Sequence, residues 1–138
     1  MEMITQEYLD KLTRDILACA IEVHKVVGAG LLEQTYERCF THELKLRGIR
    51  FKTQQPIHLK YKDLTFAAEL RYDVLVEDLI IVELKSIELI KPIHKSIVLT
   101  YMSMLGKPKG IIINFNCSNI FREGQKTLVN EIYRSLPT

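Results

Sequence analysis

Cysteine is too scarce and too scattered in this chain to build a framework. Cys19, Cys39 and Cys117 are odd in number and none forms a CxxC pair. That argues against disulfides and against a cysteine-held metal or iron–sulfur cluster, and it fits reduced, buried thiols in a cytoplasmic protein. Charge of one sign is also lacking. Nineteen Lys and Arg face seventeen Asp and Glu, a net charge of +2. Composition therefore makes no strong electrostatic case for nucleic acid, and any basic surface must be local. No apolar run approaches the roughly 18 residues of a membrane span. The opening MEMITQEYLDK is acidic and polar, unlike a secretory signal. Repeats, low-complexity tracts and linkers are absent. With 138 residues, 47% apolar and 26% charged, the chain reads as one globular domain over 1–138 with enough length for a real core.

Helical periodicity comes first. Thr5 can cap a helix from about Gln6, along which Tyr8, Leu12, Ile16, Cys19, Ala20, Val23 and Val27 share a face, and Gly28-Ala29-Gly30 ends it. A second helix is expected over Leu31 to Arg47, with Leu32, Tyr36, Phe40 and Leu44 inward and Gly48 as its stop. Glu33 falls within that stripe, either as an acid on an inward face or as a first-turn carboxylate favoured by the helix dipole. A strand at Pro56–Tyr61 alternates Ile57, Leu59 and Tyr61 with His58 and Lys60, and a second extended piece begins at Leu64–Ala68. Farther on, Pro92 suits the start of a helix with Ile93, Ile97, Tyr101 and Met104 on one face and Val98 and Leu105 alongside. GIIINF at 110–115 reads as a buried strand, and a last helix is expected over Glu123 to Ser135, with Leu128, Ile132 and Leu136 inward. The order α-α-β-β-β-α-β-α implies an α/β (α+β) fold, a mixed sheet with helices on both faces.

Between these elements lies LRYDVLVEDLIIVELKS, Leu70 to Ser86. It reads as strands Leu70–Val76 and Leu79–Lys85 around a turn at Glu77-Asp78. Asp73, Glu83 and Lys85 interrupt an otherwise apolar run, and buried charge costs several kcal/mol unless paired or metal-bound. Glu83 and Lys85 are two apart and leave the same face. Two readings follow: an acid pair holding a divalent cation with a lysine beside it, or a salt-bridged hairpin with its charges at a sheet edge. Register separates them. A two-residue turn would pair Asp73 with Val82 and send the acids to opposite faces. A three-residue loop, Glu77-Asp78-Leu79, or a bulge would bring Asp73 opposite Glu83, with Leu75 opposite Ile81 and Val74 opposite Val82.

The motif GLLEQTY (Gly30–Tyr36), preceded by IEVHKVVGAG and followed by RYDVLVEDLIIVELKS, PIHKSIVLTYM and GIIINFN, closely resembles the GxxExxY protein family. That family is placed in the PD-(D/E)XK nuclease-like superfamily. The resemblance runs from about Ile16 to Asn130. It implies a restriction-endonuclease-like core of a helix, a three-stranded meander, a helix and a fourth strand. It makes Glu33 the helix-borne acid, Asp73 the metal-binding aspartate, and Glu83 and Lys85 the ExK pair. It further implies a Mg²⁺- or Mn²⁺-dependent hydrolase of phosphodiester bonds in DNA or RNA. The alternative is an inactive protein of the same fold that binds nucleic acid, a protein partner or a second copy of itself. One position departs from the pattern: in HKSIVLTY, Ile97 stands where related sequences often carry glutamine.

Given that resemblance, Asp73, Glu83, the carbonyl of Leu84 and Glu33 are the expected oxygen donors, Glu33 acting on a metal-bound water or a second cation. Lys85 would orient or deprotonate water or stabilise the transition state. Gly30, Tyr36, Arg71, His94 and Tyr101 are expected as substrate contacts or supports. Of these, Gly30 serves the backbone at the helix start, and Tyr36 is either a contact or a core residue with a satisfied hydroxyl. Lys91, Lys95 and Arg122 are phosphate contacts or plain solvated charges. His24, His42, His58 and His94 have no metal-ligand spacing.

Overall fold

The computed structural model describes residues 3–138; the side chains at 69 and 70 lie outside that description. Helix α1 spans Gln6–Val27, its N-terminus capped by the Thr5 hydroxyl, which accepts the Tyr8 N–H at 3.0 Å. Leu9, Leu12, Ile16, Ala20 and Val23 are buried along it. Helix α2 spans Glu33–Leu46 and buries Tyr36, Phe40 and Leu44. It starts later than its periodicity suggests. Leu32 is the extended residue before the first turn and is 75% exposed rather than inward.

Five strands, β1 (Phe51–Thr53), β4 (Val74–Val76), β5 (Ile80–Lys85), β6 (Lys109–Asn114) and β7 (Gln125–Val129), form a sheet in the order β1-β4-β5-β6-β7. Only β5 and β6 run parallel; the other pairs are antiparallel. Helix α3 (Pro92–Leu105) makes the crossover between the parallel strands. Strands β2 (Pro56–Tyr61) and β3 (Leu64–Arg71) pair separately as a two-stranded ribbon. The run expected as one strand from Leu70 to Val76 therefore breaks at Tyr72-Asp73, where the chain leaves the ribbon and enters the main sheet.

The mixed α/β architecture with helices on both faces is the one the pattern predicts. Inward residues of α1 and α2 pack with Val74, Val76, Ile80, Val82, Leu84, Ile111 and Ile113. On the opposite face Val98, Tyr101 and Met102 of α3 pack with Leu75, Ile81, Ile112 and Ile57 of the ribbon. Apart from Glu83 and Lys85, strand β5 is apolar on both sides because helices cover both sides.

Two expected faces are corrected. The buried stripe of α3 is Val98, Tyr101 and Met102, while Ile93 and Ile97 are 59% and 39% exposed. Gly110 on β6 explains the rotation: a Cβ there would lie 2.5 Å from Val98 Cγ1 and 2.8 Å from Met102 Sδ. Val98 and Met102 thus occupy the space a larger residue on β6 would fill. The last helix is also replaced. Gln125–Val129 is an edge strand, and only Glu131–Arg134 is helical (α4), started by Asn130, whose side chain accepts the Tyr133 N–H. Leu128, Ile132 and Leu136 look like a helical stripe by spacing alone. In the fold Leu128 packs towards α3, Leu136 packs on the opposite core and Ile132 is 41% exposed. Pairing with β6 satisfies the backbone of β7, and β-branched Thr127 and Val129 suit a strand.

Candidate active site

The hairpin register decides whether the acids can meet. Val74 pairs with Val82, Leu75 with Ile81 and Val76 with Ile80, which leaves a three-residue loop, Glu77-Asp78-Leu79. Glu77 and Asp78 both adopt left-handed backbone, with φ of 51° and 58°. The Glu77 carboxylate accepts the backbone N–H of Arg50 and its guanidinium, both at 2.9 Å, which ties this unfavourable turn to the strand beside it. Asp73 and Glu83 consequently fall on the face that carries Leu75 and Ile81, under α3.

At that level β4 and β5 clasp each other through side chains. The Asp73 N–H donates to Glu83 Oε1 at 3.1 Å, and the Leu84 N–H donates to Asp73 Oδ2 at 2.8 Å. The Lys85 carbonyl accepts the Phe115 N–H at 2.9 Å. Carbonyls alternate along a strand, so that of Leu84 turns to the Asp73 edge.

Glu83 is only 5% exposed. Burial, followed by repulsion from Asp73, pushes its carboxyl up to about 8. The phenol of Tyr101, from α3, is raised by burial and then by the charge of the same two acids. Among the described residues none of Asp73, Glu83 or Lys85 forms an ion pair. The salt-bridged hairpin at a sheet edge is therefore not what forms. The strand carrying Glu83 and Lys85 is central, with β4 on one side and β6 on the other.

Glu33 is exposed at the first turn of α2 rather than inward, and its Oε2 accepts the N–H of Ser86, the residue after Lys85, at 3.1 Å. The first-turn carboxylate is thus the correct alternative. Glu33 and Asp73 line one cleft of about 110 Å³ together with Gln34, Glu37 and Gln54. Glu83 and Lys85 are not among its lining residues. Among the described residues no group of three or more His, Cys, Asp or Glu side chains could hold a metal ion.

The family model of the PD-(D/E)XK nuclease superfamily matches residues 10–127. The chain belongs to the PD-(D/E)XK nuclease superfamily. No curated protein and no solved structure matches it. The superfamily match takes in α2, the whole β4–β5 hairpin and α3, and so contains Glu33, Asp73, Glu83 and Lys85. No helix is long and apolar enough to cross a membrane among the described residues.

The supporting residues of this nuclease-superfamily fold divide by what they touch. Tyr36 is fully buried, its ring stacked on Phe115 with centroids 4.2 Å apart. Its hydroxyl donates to the Gly28 carbonyl at 2.6 Å and accepts the Leu31 N–H at 3.2 Å. It is a core residue that pins the loop before Glu33, which leaves no free hydroxyl face for substrate. Gly30 has φ +94°, so its role is the backbone one expected. His94 Nδ1 accepts the Lys91 N–H at 2.8 Å and caps the start of α3. His24 meets the Cys117 carbonyl at 2.9 Å. Arg71 is exposed and reaches the Gln54 carbonyl at 3.5 Å.

Two residues of the site escape sequence reasoning. Gln54 and Glu37 touch each other, and Gln54 touches Asp73. Glu37 lies one turn after Glu33 and could be placed beside it by helical spacing. Nothing in TQQP signals that Gln54 meets an aspartate nineteen residues on. Buried Asn114 was likewise invisible: its side-chain oxygen accepts the Ile87 N–H and its amide donates to the Ile87 carbonyl, which fastens the loop after Lys85.

Proposed function

We propose that this chain is a divalent-metal-dependent nuclease of the GxxExxY type, hydrolysing phosphodiester bonds of DNA or RNA. The observation that supports it best is the clasp of half-buried Asp73 and buried Glu83, two carboxylates on one face that, among the described residues, have no cationic side chain paired to either. Such a pair is costly when ionised, and oxygen-only donors are what Mg²⁺ or Mn²⁺ accept. Asp73 and Glu83, with the carbonyl of Leu84, would hold the cation. Two protein carboxylates are compatible with Mg²⁺, which keeps several waters and demands no all-protein cage. When bound, the cation supplies Lewis-acid stabilisation of charge on a scissile phosphate.

The remaining roles belong to the chain itself. Lys85 shares the face of Glu83 and is half-buried, which supports a role for its ammonium in orienting water and stabilising developing negative charge. Glu33 orders the backbone at Ser86 and offers its carboxylate to the cleft it shares with Asp73. Tyr101 of α3 packs in the core with Leu75 and Ile81, on the sheet face that also carries the acids.

The test is cleavage of end-labelled single- and double-stranded DNA and RNA in Mn²⁺, alongside the melting temperature with and without Mn²⁺. Wild type should cleave at least one substrate and melt higher with the ion, and Asp73→Ala should lose both effects. A second reading, a non-catalytic binding protein of the same fold, is favoured by one feature. Exposed Ile97 presents apolar surface on α3 at the position where the resemblance leads one to expect glutamine. Under that reading Asp73→Ala would bind oligonucleotide or partner like wild type, and neither would cleave.

A further inference from the structure

Gln54 stands where the two sheets part. Thr53 still pairs with Val74 in the main sheet, while Pro56 pairs with Arg71 in the ribbon. Between them, the Gln54 N–H donates to the Asp73 carbonyl at 3.1 Å. Its backbone is left-handed, with φ +50°. Glycine or asparagine fills such a position readily; glutamine does so only at a steric cost. Strain of this kind persists where the surroundings impose it, and it points from the outlier to a use.

The side chain supplies the use. The Gln54 amide nitrogen lies 2.7 Å from Glu37 Oε1 and 3.4 Å from Asp73 Oδ1. Two carboxylates flank one end of the amide, so that end is the NH₂ group, which has a hydrogen for each. Asp73 is then held at both oxygens, Oδ2 by the Leu84 N–H and Oδ1 by Gln54. A neutral donor between Glu37 and Asp73 also keeps two acids apart without cancelling the negative field of the cleft they line.

We infer that Gln54 is a positioning residue that orients the Asp73 carboxylate from the cleft side and anchors it to Glu37 on α2. The inference rests on the proposed role of Asp73 as a metal-holding group. Two variants separate positioning from folding. Gln54→Gly removes the side chain and the backbone strain together. Gln54→Asn keeps an amide and tolerates φ > 0 but falls one methylene short of both acids. Each is compared with wild type by calorimetric titration with Mn²⁺ alone, by melting temperature, and by steady-state cleavage of the substrate wild type cuts.

The expected result is that both variants melt within a few degrees of wild type, bind Mn²⁺ about tenfold more weakly and lose at least about tenfold in kcat, with KM for the oligonucleotide unchanged. Should Gln54→Gly fail to fold, Gln54→Asn decides by the same criteria. Wild-type Mn²⁺ affinity and kcat in a folded variant would overturn the inference while leaving Asp73 as a metal ligand. A wild-type chain that binds no Mn²⁺ would overturn the role of Asp73 and this inference with it.

Discussion

Glu83 carries the sharpest consequence at the scale of the residue. Its carboxyl is raised by burial and by Asp73 to about 8 from the ordinary value of 4.5. The unfolded chain releases this proton near 4.5 while the native chain keeps it to about 8. The stabilising contribution is thus full below the unfolded value and is lost as pH rises through that window. Without metal, wild type should lose about 2–4 kcal/mol relative to Glu83→Gln between pH 4.5 and 8.5, read by urea unfolding in EDTA. Parallel pH curves for the two proteins would refute the shifted acid. Lys85 makes a different prediction, because an ammonium is not a ligand. Lys85→Ala should cut cleavage by at least about 100-fold yet keep the Mn²⁺-induced rise in melting temperature. Loss of that rise would mean that Lys85 shapes the acid pair itself.

Among the elements, α3 and β6 show how one small residue sets a helix face. The stripe Ile93, Ile97, Tyr101 and Met104 was as good by periodicity as the one that forms. Gly110 lies too far along the chain for periodicity to weigh, yet it admits Val98 and Met102 and turns Ile93 and Ile97 outward. Gly110→Ala should therefore destabilise by about 1–3 kcal/mol through overpacking, measured by denaturant unfolding. A neutral result would show that α3 can shift without cost. The C-terminal segment carries the same lesson: Leu128, Ile132 and Leu136 keep helical spacing, but β6 needed an edge partner and pairing overrode the pattern.

For the whole molecule, folding and metal binding should be linked through Glu83. A cation bound to the ionised acid has to displace its proton, so binding weakens as pH falls. The Mn²⁺-induced rise in melting temperature should accordingly be several-fold larger at pH 8 than at pH 5.5. Scanning fluorimetry across that range checks it, and an equal rise at both values would place the ion elsewhere than at Asp73 and Glu83.

The sequence by itself determined the layers and the hairpin. The first two helices, the buried strands and the sided sheet are written in local periodicity, and the charges at Asp73, Glu83 and Lys85 stood out because an apolar run makes any charge conspicuous. It also narrowed the hairpin to two registers, since side chains alternate with a period of two and a one-residue slip moves every one to the other face. Only the tertiary structure chose between those registers, through the left-handed pair Glu77-Asp78 held by Arg50. Only it turned Glu33 from an inward acid into a clasp on Ser86, made Tyr36 a loop anchor and brought Gln54 to Asp73. These contacts join residues distant in the chain, and their geometry depends on how helices and sheets meet, which no periodicity within a single segment encodes.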